Sequence, residues 1–367
     1  MSTGNVNADR PLRWLKWEND TIGVIDEYNN VNFTKPQYNS VVELYTRGAT
    51  HWSPYRFIEF VSERVVSRER RDIEKILFRC GLSEYNVVDI GVITRAIHPK
   101  DMIWIANDEN ERFESVITDV FNSVFYQHTD LVGDSIDTPE GNNIKRYGAY
   151  NGKYGIYKER LNPLSTDVES EVAVYRLAML FGVPCCPVYR TDKDTVFSEF
   201  QYDFSMEYIA HFRRLFQGAR SENEYRNLIS VRPQYSDAIA QMILLDFITR
   251  QDDRHLSNMA IKLSGDGETF YPLYDNGRSL FYEDTEELVK LAASDPASYA
   301  TTFGYSGSYY DYIREISTER ADIKSLMRID RHEAEIAAVL RESGFVGYRY
   351  YGALEWILRS LELISSL

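Results

Sequence analysis

The spacing of hydrophobic positions changes along this chain, and each change marks an element. Residues 12–17 and 22–25 are short apolar-rich pieces that read as strands. A helical pattern follows from about 55 to 81, with Gly81 as a cap after Ile76, Leu77 and Phe78. A second helical pattern covers 86–97 and stops before Pro99, and 102–106 reads as a strand. The polar tract 127–143, with Gly133, Pro139 and Gly141, marks a boundary. Beyond it, 145–150 and 153–158 flank Asn151-Gly152, the pair favoured in a type I′ turn because both central residues take positive φ. A helix is predicted from Thr166 or Asp167 to Phe181, striped by Val168, Val172, Tyr175 and Met179 and ended by Gly182 and Pro184. Residues 195–200 read as a strand, and 235–251 as a helix carrying Ile239, Ile243 and Phe247 on one face. A second hairpin, 259–263 with 269–274, turns at Gly265-Asp266-Gly267, and 283–367 reads as mostly helical.

A length of 367 residues predicts two domains or one large two-lobed one. Apolar content of 44% against 26% charged fits a globular protein, and no run approaches the roughly 18 apolar residues of a membrane span. The first ten residues are polar and lack a signal-peptide core. Three cysteines, two of them adjacent, make no disulfide framework, so a reducing cytoplasm is expected. A net charge of −15 opposes general nucleic-acid binding, which needs a positive surface. One basic run departs from that balance: Arg64, Arg68, Arg70, Arg71, Lys75 and Arg79, interleaved with Glu63, Glu69, Asp72 and Glu74. It reads as a solvated helix laced by i,i+4 ion pairs, the alternative being a phosphate- or partner-binding face.

The chemistry concentrates in Asp253-Arg254-His255-Leu256-Ser257-Asn258 and in Asp275-Asn276-Gly277. Kinase catalytic loops place an acceptor-side Asp five positions before a magnesium-binding Asn, and a second magnesium-binding Asp before a Gly. Asp253 and Asn258 have that separation, whereas Asp252 as the base would give six. The second hairpin would bring Asn258 and Asp275 together, and two hard oxygen ligands on a rigid hairpin suit Mg²⁺. Lys158 ends a predicted strand thirteen residues before Glu171 on the next helix, the order in which a strand lysine and a helix glutamate grip ATP phosphates. Glu169 and Glu171 fall about 200° apart on that helix and cannot share a partner. Gly141, Asn142, Asn143 and Lys145 form a candidate phosphate loop. For His255 three roles stand: a brace for its loop, a contact to phosphate or to Asp253, or a transition-metal ligand. The order Asp-Arg-His points away from ordinary protein kinases.

These residues carry a resemblance. Asp253-x-His255-x-x-Asn258 followed by Tyr274-Asp275-x-Gly277 resembles the core of HipA-like serine/threonine kinases, which share their fold with phosphoinositide 3/4-kinases. Residues 170–178, with Gly182-Val183-Pro184, are similar to that family's lysine-partner helix. The stretch from Gly141 through Tyr154-Gly155-Ile156-Tyr157-Lys158 looks closest to short CtkA-type members. The resemblance spans about 137–281 and implies Asp253 as base, with Asn258 and Asp275 as magnesium ligands. It also implies Lys158 on the ATP phosphates, Glu171 orienting it, and Glu199 and Phe200 at the adenine hinge. Ser135 and Thr138 are the hydroxyls nearest the loop for the self-phosphorylation known in the family. The long HipA phosphate loop is absent, residues 1–130 do not look like the usual HipA amino-terminal domain, and toxin–antitoxin membership is not carried over.

The expectation is therefore an α+β, two-lobed kinase-like fold with a small β-rich N-lobe (131–203) and a larger, mostly helical C-lobe (204–367). A mixed, largely helical domain (1–130) for recognition or assembly precedes them. The expected activity is transfer from ATP-Mg²⁺ to a Ser or Thr hydroxyl of a protein or peptide. The alternatives are a small-molecule or lipid kinase, a nucleotide-binding regulator without turnover, and a metal hydrolase using Asp252, Asp253 and His255. No basic amphipathic helix offers a hold on a membrane.

Overall fold

The computed structural model describes residues 12–34, 40–116, 144–203, 206–216, 225–300, 307–320, 322–329 and 333–367. The chain divides into two compact units. One comprises Met1–Tyr157 with Asp203–Tyr208, the other Lys158–Tyr202 with Ile209–Leu367.

In the first unit, β1 (Arg13–Trp17), β2 (Asp20–Ile25), β3 (Val31–Phe33), β4 (His51–Trp52) and β5 (Ile103–Ala106) form one antiparallel sheet in the order β4-β3-β2-β1-β5. Short helices accompany it, among them α1 (Ser40–Thr46), α2 (Pro54–Ser62), α3 (Ile73–Arg79) and α4 (Val87–Ile93). The strands expected at 12–17, 22–25 and 102–106 all belong to this sheet; β3 and β4 were not foreseen. The helical region expected over 55–81 is two helices, α2 and α3, separated by 63–72.

Only part of the basic run is a solvated face: Arg68, Arg71, Lys75 and Arg79 are exposed, whereas Arg64 and Arg70 are not. Arg64 is buried, paired with Asp101, and donates to the carbonyls of Ala96 at 3.2 Å and Ile103 at 2.9 Å, with its guanidinium 4.2 Å from the Phe60 ring. Arg70 is also buried; its Nε donates to Asp72 at 2.7 Å and its Nη2 to the Lys145 carbonyl at 2.8 Å. Buried arginines need their donors satisfied, and both find carbonyl and carboxylate acceptors. Asn86 caps α4, accepting from Val88 N–H at 2.9 Å.

Strands β6 (Lys145–Tyr150) and β7 (Lys153–Glu159) form the first predicted hairpin, with Asn151 and Gly152 at φ 50° and 74°. β7 carries the chain into the second unit at Lys158. There follow α5 (Asp167–Phe181), β8 (Val188–Arg190), β9 (Thr195–Glu199), β10 (Tyr208–His211), α6 (Phe212–Leu215), α7 (Tyr225–Val231) and α8 (Ser236–Ile248). The rest is β11 (Ala260–Ser264), β12 (Gly267–Phe270), α9 (Glu286–Ala293), α10 (Tyr309–Glu319), α11 (Glu333–Glu342) and α12 (Gly347–Ser365).

The period reading placed α5 and α8 but misjudged their faces. α5 is buried nearly all round, including Glu169, Ser170 and Glu171, while Met179 of the expected stripe is exposed. Gly182 ends it in the left-handed conformation at φ 76°, and Val183 N–H bonds back to the Ala178 carbonyl at 2.8 Å. α8 is buried on every side from Met242 to Ile248. Each of its Leu, Ile and Phe side chains contributes about 1.5–3 kcal/mol of burial. α12 fastens to it through Trp356, whose Nε1 donates to the Phe247 carbonyl at 2.8 Å.

The second hairpin is shorter than expected. β11 and β12 pair from Ile261–Phe270 to Ser264–Gly267, and Tyr271 N–H still reaches the Ala260 carbonyl at 2.9 Å. The chain then leaves β11: Leu273 donates to Pro184 at 3.1 Å and accepts from Cys186 at 2.8 Å. Asn258 and Asp275 are therefore not ladder partners, and something else must hold them together.

Candidate active site

Lys158, near the end of β7, reaches Glu171 on α5 and Asp275, whose Oδ1 lies 3.0 Å away. Burial alone would favour a neutral amine, but the carboxylates of Asp275 and Glu171 outweigh it and hold the lysine pKa above its ordinary value. The two glutamates of α5 diverge as the helical period requires. Glu171 faces Lys158, whereas Glu169 takes Arg160 at 2.6 and 2.8 Å and Arg190 at 3.0 Å. The second oxygen of Glu171 accepts from Asn276 N–H at 3.2 Å, which ties α5 to the residue after Asp275. Asp275 has φ 58°, a left-handed conformation that Asp and Asn tolerate better than most residues. A Cβ on Gly277 would meet only ordinary contacts, so its backbone does not require glycine.

The segment that carries Asp253 starts where α8 stops. Thr249 Oγ1 donates to the Leu245 carbonyl at 2.8 Å, and Arg250 turns at φ 51°. The Arg250 guanidinium sits 4.4 Å from the Phe281 ring and 4.3 Å from the Tyr299 ring, and pairs with Asp284 at 2.8 Å. Asp252 is engaged by Tyr299, which donates to its Oδ1 at 3.0 Å. Asp253 lies beyond, 23% exposed, with His255 Nε2 at 4.0 Å and Arg278 Nε at 3.7 Å. His255 Nδ1 accepts from Ser257 N–H at 3.2 Å, so the ring proton belongs on Nε2, toward Asp253. The ring thus braces its own loop through Ser257, and at 4.0 Å it makes no hydrogen bond to Asp253.

Arg254 holds the two segments together. Its side chain is 0% exposed and Asp246, on α8, is 1% exposed. Nε and Nη2 bond the Asp246 carboxylate at 3.0 Å each, Nη1 donates to the carbonyls of Asn258 at 2.9 Å and Tyr274 at 2.8 Å, and Nη2 also reaches Asn276 Oδ1 at 2.7 Å. One guanidinium therefore fixes the backbone at Asn258 and immediately before Asp275. Tyr274 adds a second strut, donating to the Ser257 carbonyl at 2.9 Å with His211 Nδ1 at 2.8 Å from the same hydroxyl. Since the hydroxyl proton goes to Ser257, His211 donates from Nδ1. The sequence reading missed Arg254, Asp246, Asn276, Tyr274 and His211. The usable signal was an aspartate inside the otherwise apolar Met242–Ile248 run, a position that demands a buried cation.

Asn258 Nδ2 donates to the Asp253 carbonyl at 2.8 Å, which turns its amide oxygen the other way. An amide oxygen and a carboxylate are the hard donors that Mg²⁺ prefers, so Asn258 and Asp275 fit that ion. Among the described residues, no group of three or more His, Cys, Asp or Glu could hold a metal, and no helix is long and apolar enough to cross a membrane.

Glu199 ends β9, buried, accepting from the Tyr189 hydroxyl at 3.1 Å and Gln201 Nε2 at 2.9 Å; Phe200 lies against Tyr202 at 5.3 Å between ring centres. Lys145 opens β6 in the first unit. Gly141, Asn142 and Asn143, with Ser135 and Thr138, lie outside the described residues.

No protein-family model matches the sequence, and no curated protein matches it. Solved structures do. The proinflammatory kinase CtkA of Helicobacter pylori superposes with TM-score 0.52 at 12% identity, covering 66% of this chain and 94% of its own. HipA of Shewanella oneidensis MR-1, from a complex with HipB and operator DNA, superposes with TM-score 0.54 at 13% identity, covering 97% of this chain and 99% of its own. The fold is that of HipA/CtkA-like kinases. It is the α+β, two-lobed class expected from the sequence. The HipA-like superposition extends over the amino-terminal region as well, where the sequence had offered no likeness.

Proposed function

We propose that the protein is an ATP- and Mg²⁺-dependent kinase that phosphorylates a Ser or Thr hydroxyl of a protein or peptide. The observation that carries this reading is Lys158 between Glu171 and Asp275, with Arg254 bonding the backbone of Asn258 and Tyr274 and the Asn258 amide bonding the Asp253 carbonyl. Phosphoryl transfer depends on positioning and charge neutralisation, and Lys158, Glu171, Asp253, Asn258 and Asp275, all in one compact unit, are groups suited to both. Lys158, kept protonated by its two carboxylates, binds α- and β-phosphate oxygens, and Glu171 sets its direction. Asp253 accepts the proton of the acceptor hydroxyl, its loop held by His255 and Asn258. Mg²⁺, when bound at Asn258 and Asp275, supplies neutralisation of phosphate charge. Glu199 and Phe200 line the adenine side. That the two structural neighbours are a proinflammatory kinase and HipA supports the reaction class, and a hydroxyl acceptor follows from an aspartate base.

The test is incubation of wild-type protein and Asp253→Ala with γ-labelled ATP, Mg²⁺ and a cell extract, followed by phosphoamino-acid analysis. Label on Ser or Thr with wild type alone supports the proposal. Label confined to lipid or small molecules rejects the acceptor class, and equal transfer by both proteins rejects Asp253 as base.

A further inference from the structure

Arg278 stands beside Asp253 without a part in the scheme above. Its backbone is locked to the catalytic-loop segment, since its carbonyl accepts from Asp252 N–H at 2.9 Å. Its side chain is 34% exposed, with Nε 3.7 Å from Asp253 Oδ2, and its guanidinium lies 5.8 Å from the Tyr282 ring. The neighbouring arginines are built differently. Arg254 is wholly buried with hydrogen bonds of 2.7–3.0 Å to four residues, and Arg250 is 10% exposed and stacked on rings. Arg278, by contrast, is accessible and stands beside Asp253.

The charges around the reacting groups assign it a task. Lys158 is already matched by Glu171 and Asp275. Among the described residues, His255 Nε2 lies 4.0 Å from Asp253 Oδ1, and the Arg278 guanidinium approaches Oδ2 at 3.7 Å. The acceptor oxygen must lie against Asp253, and the transferring phosphorus must lie against that oxygen. A guanidinium within 4 Å of the base is therefore within reach of the equatorial phosphoryl oxygens, and its planar fork suits them.

We propose that Arg278 is a catalytic residue that binds the phosphoryl group in flight and neutralises its charge. The proposal rests on the kinase reading. In the step, the acceptor oxygen–phosphorus bond forms and the bond from the γ-phosphorus to the β,γ-bridging oxygen breaks. ADP leaves with that electron pair, the hydroxyl proton passes to Asp253, and Arg278 keeps all its protons throughout.

The experiment compares wild type, Arg278→Gln, Arg278→Lys and Arg278→Ala in single-turnover transfer and in Mg-ATP binding. Arg278→Gln should lose about 100-fold or more in turnover, the scale of one transition-state donor, while its Mg-ATP Kd stays within about threefold. Arg278→Lys, with charge but no fork, should fall between wild type and Arg278→Gln. Millimolar guanidinium chloride, but not equal sodium chloride, should restore turnover to Arg278→Ala. Wild-type turnover in Arg278→Gln overturns the proposal and leaves the kinase reading standing. Parallel loss of turnover and nucleotide binding without rescue also overturns it, by making Arg278 structural. A wild-type protein that transfers nothing to any acceptor removes the kinase reading and this proposal with it.

Discussion

Replacing Arg254 with Met keeps most of the side-chain volume and removes the cation between Asp246, Asn258, Tyr274 and Asn276. Asp246 is then left 1% exposed with no guanidinium, and breaking a buried pair in this way costs about 3–5 kcal/mol. A domain is stable by about 5–15 kcal/mol in total, so the loss is a large share of it. At about 2–4 °C per kcal/mol for a unit of this size, Tm should drop by roughly 10 °C. The double variant Asp246→Leu/Arg254→Met removes both charges and should recover part of the loss. Recovery is incomplete because the Asn258 and Tyr274 carbonyls still lose their donor, at about 1–3 kcal/mol for each group left unsatisfied. Equilibrium urea unfolding of the wild type, both single variants and the double variant gives the coupling energy. A single-variant cost below about 1 kcal/mol, or additive single costs, would refute the claim that this pair is the clamp of the site.

Other outcomes follow from the same geometry. Glu171→Gln removes one of the two carboxylates at Lys158, and kcat/KM for ATP should fall about 10- to 100-fold, the worth of a charged hydrogen bond; an unchanged value means that Glu171 does not orient the lysine. Burial pushes the Glu169 carboxyl up, but hydrogen bonds from Arg160 and the nearby arginine charges more than offset it and leave its pKa below the ordinary range. A depressed folded pKa gives stability that is full above the unfolded value of about 4.3 and is lost as pH falls through the folded one. Wild type should therefore lose stability faster than Glu169→Gln on acidification below about pH 5, read by urea unfolding at stepped pH; parallel curves would sink the argument. Burial pushes the thiols of Cys185 and Cys186 up, the latter to about 12, while Cys80 is partly exposed. Iodoacetamide at pH 8 should label Cys80 in the native protein and the other two only after denaturation, and mass spectrometry detecting native labelling at Cys185 or Cys186 would contradict the burial.

What could be read in advance was local. Asn151-Gly152 demanded its turn, Gly182 ended α5 where a left-handed residue was needed, and the pairing expected of Lys158 with Glu171 is present in the structure. What could not be read was tertiary. The Arg64–Arg79 run has the alternating charge of a solvated helix, yet Arg64 and Arg70 are buried because Asp101 and the Lys145 carbonyl, distant in sequence, meet them. Hairpin pairing correctly joined the chain near Asn258 to the chain near Asp275 but misjudged the means. The ladder stops at Ala260 and Tyr271, and Arg254 spans the rest. Its position between Asp253 and His255 drew attention to its neighbours, while the residue that demanded it, Asp246, lay in a helix read only for its apolar stripe.

The account stands on one nucleotide site built from Lys158, Asn258 and Asp275, with Asp253 acting on the acceptor. Its most direct measurement is calorimetric titration of ATP into wild type, Asp275→Ala and Asp253→Ala, each with and without Mg²⁺. Wild type and Asp253→Ala should bind ATP with similar affinity only when Mg²⁺ is present, and Asp275→Ala should lose that dependence together with most of the affinity. Equal Mg-ATP affinity in wild type and Asp275→Ala, or no ATP binding by wild type at all, would contradict it.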